Sequence, residues 1–235
     1  MRNALQFSRV NRFANESQIW SEWERTMPRV APTADVRESV LDAATRLIEG
    51  CGFKKMTMEA IAHEAGVGKA TIYGYFQSKE DVALSVIRRH QQMVRERWLE
   101  IAASDLPYAQ QVRQMLVFLV LAGFDKAQRC RRSMDETLSA LRQIILQRRF
   151  QFNGELALLL GTVLERGRAE GVFSCEQTTS AAQALITGVS GLNPTNLSPE
   201  ELGERAEIEA RTHRVVDLML SGLLSRCECD APHRR

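Results

Sequence analysis

Apolar residues recur at every third or fourth position along almost the whole chain, and no segment alternates apolar and polar residues in a way that would make a strand. The pattern predicts an all-α protein. Val36, Val40, Leu41, Ala44, Leu47, Ile48 and Cys51 share one helical face, with Asp35 and Glu38 at its start and Gly52 at its end. A short helix is predicted from Thr57 to Gly66, and a second from about Gly68 to Phe76. Ser78-Lys-Glu-Asp81 then opens a longer helix that carries Val82, Val86, Ile87, His90, Val94 and Trp98 and ends near Glu100.

The stretch Ala103 to Pro107 breaks the periodicity and predicts a boundary. Beyond it, helices are expected over Tyr108–Phe124, Asp135–Phe150, Phe152–Gly171 and Gln177–Val189. The segment GLNPTNLSPEEL reads as a linker, and Ser198-Pro-Glu-Glu201 supplies an N-cap, a first-turn proline and a capping-box glutamate for a last helix reaching Arg226. The expected organisation is an extension over 1–34, a compact unit over 35–100, a larger helical unit over 101–226 and a tail over 227–235.

Two short helices meeting at a steep angle need a small residue where they touch and a residue that tolerates positive φ at the turn. Ala62 and Gly66 answer both needs, with Ile61 and Ile72 pointing into the shared core. This is helix-turn-helix geometry, and it leaves the second helix free to enter a DNA major groove. Gly68, Lys69, Ala70 and Thr71 occupy its leading end, where Lys69 reaches phosphate or a guanine edge, Ala70 allows close approach, and Thr71 offers a hydroxyl and a methyl. Tyr73 and Tyr75 diverge by about 200° on a helix, so they suit phosphate clamps on the two sides of the groove, while Phe76 anchors the helix to the core. Thr57 and Lys79, at two other helix starts, add backbone positioning.

The run TMEAIAHEAGVGKATIYGYFQSKEDV, within residues 35–98, resembles the DNA-binding domain of the TetR family of transcriptional regulators. The resemblance implies an N-terminal helix-turn-helix three-helix DNA-binding domain linked to a larger C-terminal helical domain for ligand binding and dimerisation. It implies a homodimer on a double-stranded operator with dyad symmetry, in most cases released by a small-molecule inducer. It also implies DNA contacts from Thr57, Lys69, Ala70, Thr71, Tyr73, Tyr75 and Lys79. Two positions depart from the family pattern: Gly68 stands where a serine cap is common, and Gly74 where a larger polar or basic residue is common. Each glycine weakens the short helix by roughly 0.5–1 kcal/mol relative to alanine.

Composition narrows the alternatives. At 235 residues, 44% hydrophobic and 26% charged, the chain is globular in character, and its longest apolar run, Met115–Gly123, is too short to span a membrane. The start carries Arg2, Arg9 and Arg12 without a continuous apolar core, so no secretory signal is read and a cytoplasmic protein is expected. The net charge is only +2, and from Asp35 to Glu100 ten basic residues balance ten acidic ones, so any attraction for DNA comes from placement. Five scattered cysteines read as reduced thiols; Cys130, between arginines, is the one with a lowered-pKa environment for redox sensing. No nucleophile, base and orienter cluster, phosphate loop or metal spacing is present, so neither an enzyme nor a cofactor or metal is expected. His63 and His90 are expected on surfaces or helix faces.

For the larger unit, the stripes Leu156–Leu164 and Val215–Leu224 predict a dimer interface containing Leu156, Leu160, Gly161, Leu164, Val215, Met219, Gly222 and Leu223. An inducer cavity is expected among Trp98, Tyr108, Met115, Phe118, Phe124, Met134, Leu138 and Phe150, with Arg142 a candidate anion anchor. Residues 1–34 admit three readings: a basic arm on DNA, a short docked helix through Ile19, Trp23 and Met27, or a true start at Met27.

Overall fold

The computed structural model describes residues 33–129, 134–193 and 203–224, with the side chains of 33–35, 134–145 and 147 not among them. The described residues form eight helices and no strand: α1 Thr33–Cys51, α2 Met58–Ala65, α3 Lys69–Tyr75, α4 Lys79–Ala102, α5 Tyr108–Arg129, α6 Met134–Ala169, α7 Thr178–Ser190 and α8 Arg205–Ser221. An isolated bridge between Phe173 and Leu224, beside a Ser174 N–H to Leu223 carbonyl bond of 2.8 Å, ties the loop after α6 to the end of α8.

The helix boundaries follow from local chemistry. At α2 the Thr57 hydroxyl oxygen accepts from the Ala60 N–H at 3.1 Å. At its other end Gly66 sits at φ 67°, a conformation that favours glycine, and its N–H together with that of Val67 closes on the Ala62 and His63 carbonyls. Ser78 caps α4 through the Asp81 N–H, with Glu80 and Asp81 in the first turn complementing the positive helix end.

Two expectations are corrected here. The helices expected on either side of Gln151 are one continuous helix, α6, which runs on through Asn153 and Gly154, with no proline there to remove a helix N–H. The last helix begins at Arg205 rather than at Ser198, and ends at Ser221 rather than Arg226. Glu204 is its N-cap and exchanges bonds with Glu207, so the capping box lies six residues after the one expected; Ser198 and Glu201 themselves lie outside the described residues.

The buried apolar side chains fall into two clusters. The smaller joins α1, α2, α3 and the first turns of α4 around Leu41, Met56, Ile61, Ile72, Phe76 and Val82. The larger joins the rest of α4 with α5 to α8 around Trp98, Met115, Phe124, Leu160 and Ile186. Full burial of side chains of this size stabilises by about 1.5–3 kcal/mol each, so either cluster holds its helices firmly. Helix α4 belongs to both clusters. Arg89 on α4 ties it to α1, donating to Asp42 at 2.6 Å, Thr45 at 2.9 Å, and Glu38 and the Leu41 carbonyl at 3.3 Å each. Arg129 at the end of α5 adds a second tie to α1 through Glu49 at 2.9 Å.

Candidate nucleic-acid interface

Helix α3 is held by two side chains one turn apart, Ile72 and Phe76, which are almost wholly buried. That anchoring leaves Lys69, Ala70, Tyr73 and Gly74 exposed on the opposite side and Thr71 half-buried. Tyr73 is 49% exposed, so its ring faces solvent on that side. Tyr75 lies half-buried against the smaller core, so the two tyrosines do diverge as their spacing requires. Gly68 caps α3 without a side-chain bond, and at Gly74 an added Cβ would meet nothing within 4 Å.

Lys69 makes an ion pair with Glu59 on the first turn of α2 and stacks over Tyr73 at 6.0 Å from the ring centre. The hydrogen bond from Lys69 holds the Glu59 carboxyl below its usual range, and the same bond raises the Lys69 ammonium. A phosphate approaching Lys69 therefore displaces a carboxylate. At the start of α2 the Thr57 hydroxyl accepts from Ala60 and donates to the Glu59 carboxyl, adding to the effects that hold that group low.

Lys79 occupies a different place from the phosphate-contacting one expected of it. Its ammonium donates to the carbonyls of Phe53 at 3.3 Å, Lys54 at 3.2 Å and Met56 at 3.2 Å, and lies 4.7 Å from the centre of the Phe53 ring. An ammonium has three protons, and three carbonyls take them. Lys79 thus braces the 52–57 loop, while Lys54 and Lys55 on that loop are exposed beside Thr57. Those two lysines escaped the sequence reading because nothing in their neighbours distinguishes them from ordinary solvated charges.

Among the described residues, those expected to line an inducer cavity do not share one pocket. Trp98, Met115 and Phe124 are buried in the larger core, Phe118 is half-buried against it, and the Tyr108 hydroxyl donates to Glu170 at 2.5 Å, a bond that raises its pKa. Phe150 is 85% exposed and lines no interior space, since the unbroken helix puts it on the outer side. Met134, Leu138 and Arg142 lie outside the described side chains, as does Cys130. Two buried polar atoms have no partner among the described residues, Trp98 Nε1 and Gln111 Oε1; the other end of Gln111 staples the 103–107 loop through the Ser104 and Leu106 carbonyls.

The expected dimer stripe on α6 is also corrected. Leu156, Leu160 and Leu164 are fully buried within their own chain, and a Cβ added at Gly161 would lie 3.5 Å from Thr179 at the start of α7. Val215, Met219 and Leu223 are half-buried against the same core, and of that set only Gly222 is exposed. The exposed apolar positions are others: Leu218 at 76% and Leu158 at 64%. Beside α8, helix α7 turns Ala184, Thr187 and Gly188 outward, with Gly188 against the Met219 side chain.

His90 departs from a surface position. It is half-buried on α4, and burial together with the positive charge of Lys126 and Arg129 on α5 lowers its pKa to about 3. Among the described residues no group of three or more His, Cys, Asp or Glu is placed to hold a metal, and no helix is long and apolar enough to cross a membrane.

Comparison with known proteins bears on this geometry. The family model of bacterial regulatory proteins, tetR family, matches residues 40–86, which cover α1 from Val40 onward, α2, α3 and the first two turns of α4. The HTH-type transcriptional regulator BetI of Brucella suis is 28% identical over 158 residues, covering 67% of this chain and 75% of that protein. The fatty acid metabolism regulator protein of Bacillus subtilis is 26% identical over 188 residues, covering 78% and 93%. Among solved structures, the complex of SmeT with triclosan superposes with a TM-score of 0.63 at 19% identity, over 81% of this chain and 92% of that one; SmeT is the repressor of a multidrug efflux pump of Stenotrophomonas maltophilia. At that identity the likeness is one of fold.

Proposed function

The chain belongs to the TetR family of bacterial transcriptional regulators, and from that premise we propose that it is a homodimeric, sequence-specific DNA-binding repressor, released from a palindromic operator by a small-molecule inducer. The family is one of regulators, not enzymes. The observation that carries the DNA reading is the outward face of α3: Lys69, Ala70 and Tyr73 stand in solvent on a helix whose other face is locked by Ile72 and Phe76. Tyr73, Tyr75 and Thr57 donate to phosphates; Lys69, Ala70 and Thr71 lie nearest the base edges; Gly68 lets the backbone approach closely.

Residues 35–100 act as the reading unit and 101–226 as the sensing and pairing unit, in the cytoplasm, where the DNA is. Pairing is assigned to the outer faces of α7 and α8, which expose Leu218 on α8 and Ala184, Thr187 and Gly188 on α7. The triclosan complex of SmeT supports a small-molecule inducer for a chain of this fold.

The test is titration of labelled duplex at several salt concentrations. Tyr73→Phe is expected to weaken binding to all sequences alike, and Lys69→Ala to weaken binding and alter sequence preference as well. Unchanged affinity in both variants would remove α3 from the interface.

A further inference from the structure

Between the outer part of α4 and the middle of α6 lies a cleft of about 240 Å³ whose walls include three guanidinium groups, Arg88 and Arg95 from α4 and Arg148 from α6. Gln91 adds an amide, Phe152 an apolar surface that packs on the larger core, and Glu155 the one carboxylate of the lining. Three like charges converging on one cleft repel each other unless something neutralises them. Arg88 has partial relief from Ser85 at 2.8 Å and Asp81 at 3.5 Å, and Arg95 donates to the side-chain Oε1 of Gln92 at 2.7 Å. Arg148 is half-buried and has no ion pair or hydrogen bond among the described residues. A guanidinium removed from water without an acceptor is unfavourable, and Arg forks match oxyanions in two-bond geometry.

We propose that this cleft binds a small oxyanion-bearing ligand, its carboxylate or phosphate held by Arg95 and Arg148 and its remaining surface resting on Phe152. The volume falls below the roughly 300–1,000 Å³ of pockets for drug-sized molecules, so the ligand is a compact metabolite rather than a long-chain or multi-ring compound. Its position suits an effector: a ligand gripping α4 and α6 together sets where α4 lies, and Arg89, the next residue along from Arg88, fastens α4 to α1. The effector role rests on the regulator reading above; occupancy of the cleft does not.

The test is thermal unfolding of the full chain in sodium phosphate and in sodium succinate, each against sodium chloride at equal ionic strength, with no DNA present. One of the two oxyanions is expected to raise the melting temperature saturably, and the two arms separate phosphate from carboxylate recognition. In Arg148→Gln the apparent affinity is expected to fall about tenfold or more, as for loss of a charge-assisted bond, while Arg97→Gln, outside the cleft, leaves it unchanged. Without ligand, Arg148→Gln is expected to melt no lower than the parent, because it relieves repulsion among the three guanidinium groups. Arg95→Gln, at an exposed position, carries the same test should Arg148→Gln not fold. No saturable shift with either anion, or a shift that survives both cleft substitutions, would overturn the proposal. A chain that binds the anion in this way but never binds DNA would sink the regulator reading alone.

Discussion

Lys79 is the residue at which chemistry and position diverge most. A lysine at the first turn of α4 looks free to meet a phosphate, yet its ammonium turns back to the carbonyls of residues 53, 54 and 56. Lys79→Ala is therefore expected to destabilise the N-terminal cluster by about 1–3 kcal/mol, the range for losing hydrogen bonds to a charged group, and to weaken DNA binding only through that loosening. Urea melts of the full chain check this; full stability with lost DNA affinity would restore the direct contact. Glu59→Gln acts in the opposite sense, since it frees Lys69 from its carboxylate partner and is expected to tighten binding to any duplex severalfold at low salt. His90 makes stability depend on pH. Its pKa is about 3 in the folded chain and about 6.5 when unfolded, so the unfolded state takes the proton first as pH falls. This contribution is complete above about pH 6.5 and declines down to about pH 3, with a limiting slope of about 1.4 kcal/mol per pH unit. His90→Gln is expected to flatten that part of the stability profile. None of these three partners is near its residue in a way that spacing reveals, except Glu59, which stands on the helix preceding Lys69.

At the scale of elements, the short helices were legible because their signals are local. The Thr57 cap, the Gly66 turn, the Ile61 and Ile72 pair and the Ser78 cap each act within a few residues, and all point to one arrangement. The long helices were less legible, for a physical reason. Phe150 and Phe152 flank a place where the apolar phase shifts, which reads as a break, but the backbone of α6 continues through it and through Asn153-Gly154, with no proline to interrupt the helix bonds. The stripe Leu156, Leu160 and Leu164 has the same spacing whether it meets a partner chain or α7 and α5, and only tertiary packing decides. Helix α3 carries a weakness that can be repaired: Gly74 is exposed, and an added methyl would touch nothing. Gly74→Ala is expected to stabilise the chain by about 0.5–1 kcal/mol, read as a raised midpoint in urea, with DNA affinity retained or improved by a better ordered helix. A lowered midpoint would show that α3 is not an ordinary helix at that position.

At the scale of the whole molecule, two clusters share α4, and the ties of Arg89 and Arg129 to α1 link movement in one cluster to the orientation of α3 in the other. Two copies are required for dyad recognition. Leu218→Arg places a charge in the proposed contact between α8 helices and is expected to yield monomers by sedimentation without changing the helix content, since Leu218 is exposed in the single chain. An intact dimer would move the interface elsewhere, Phe150 and Leu158 on α6 being the other most exposed apolar positions among the described residues. The most direct test of the account is selection of bound duplexes from a random pool at fixed salt, with the full chain as bait. The account predicts an inverted repeat whose half-sites lie about one helical turn, or a multiple of it, apart, and which Leu218→Arg no longer holds tightly. Recovery of no preferred sequence, or of a single unrepeated site bound equally well by the variant, would contradict it.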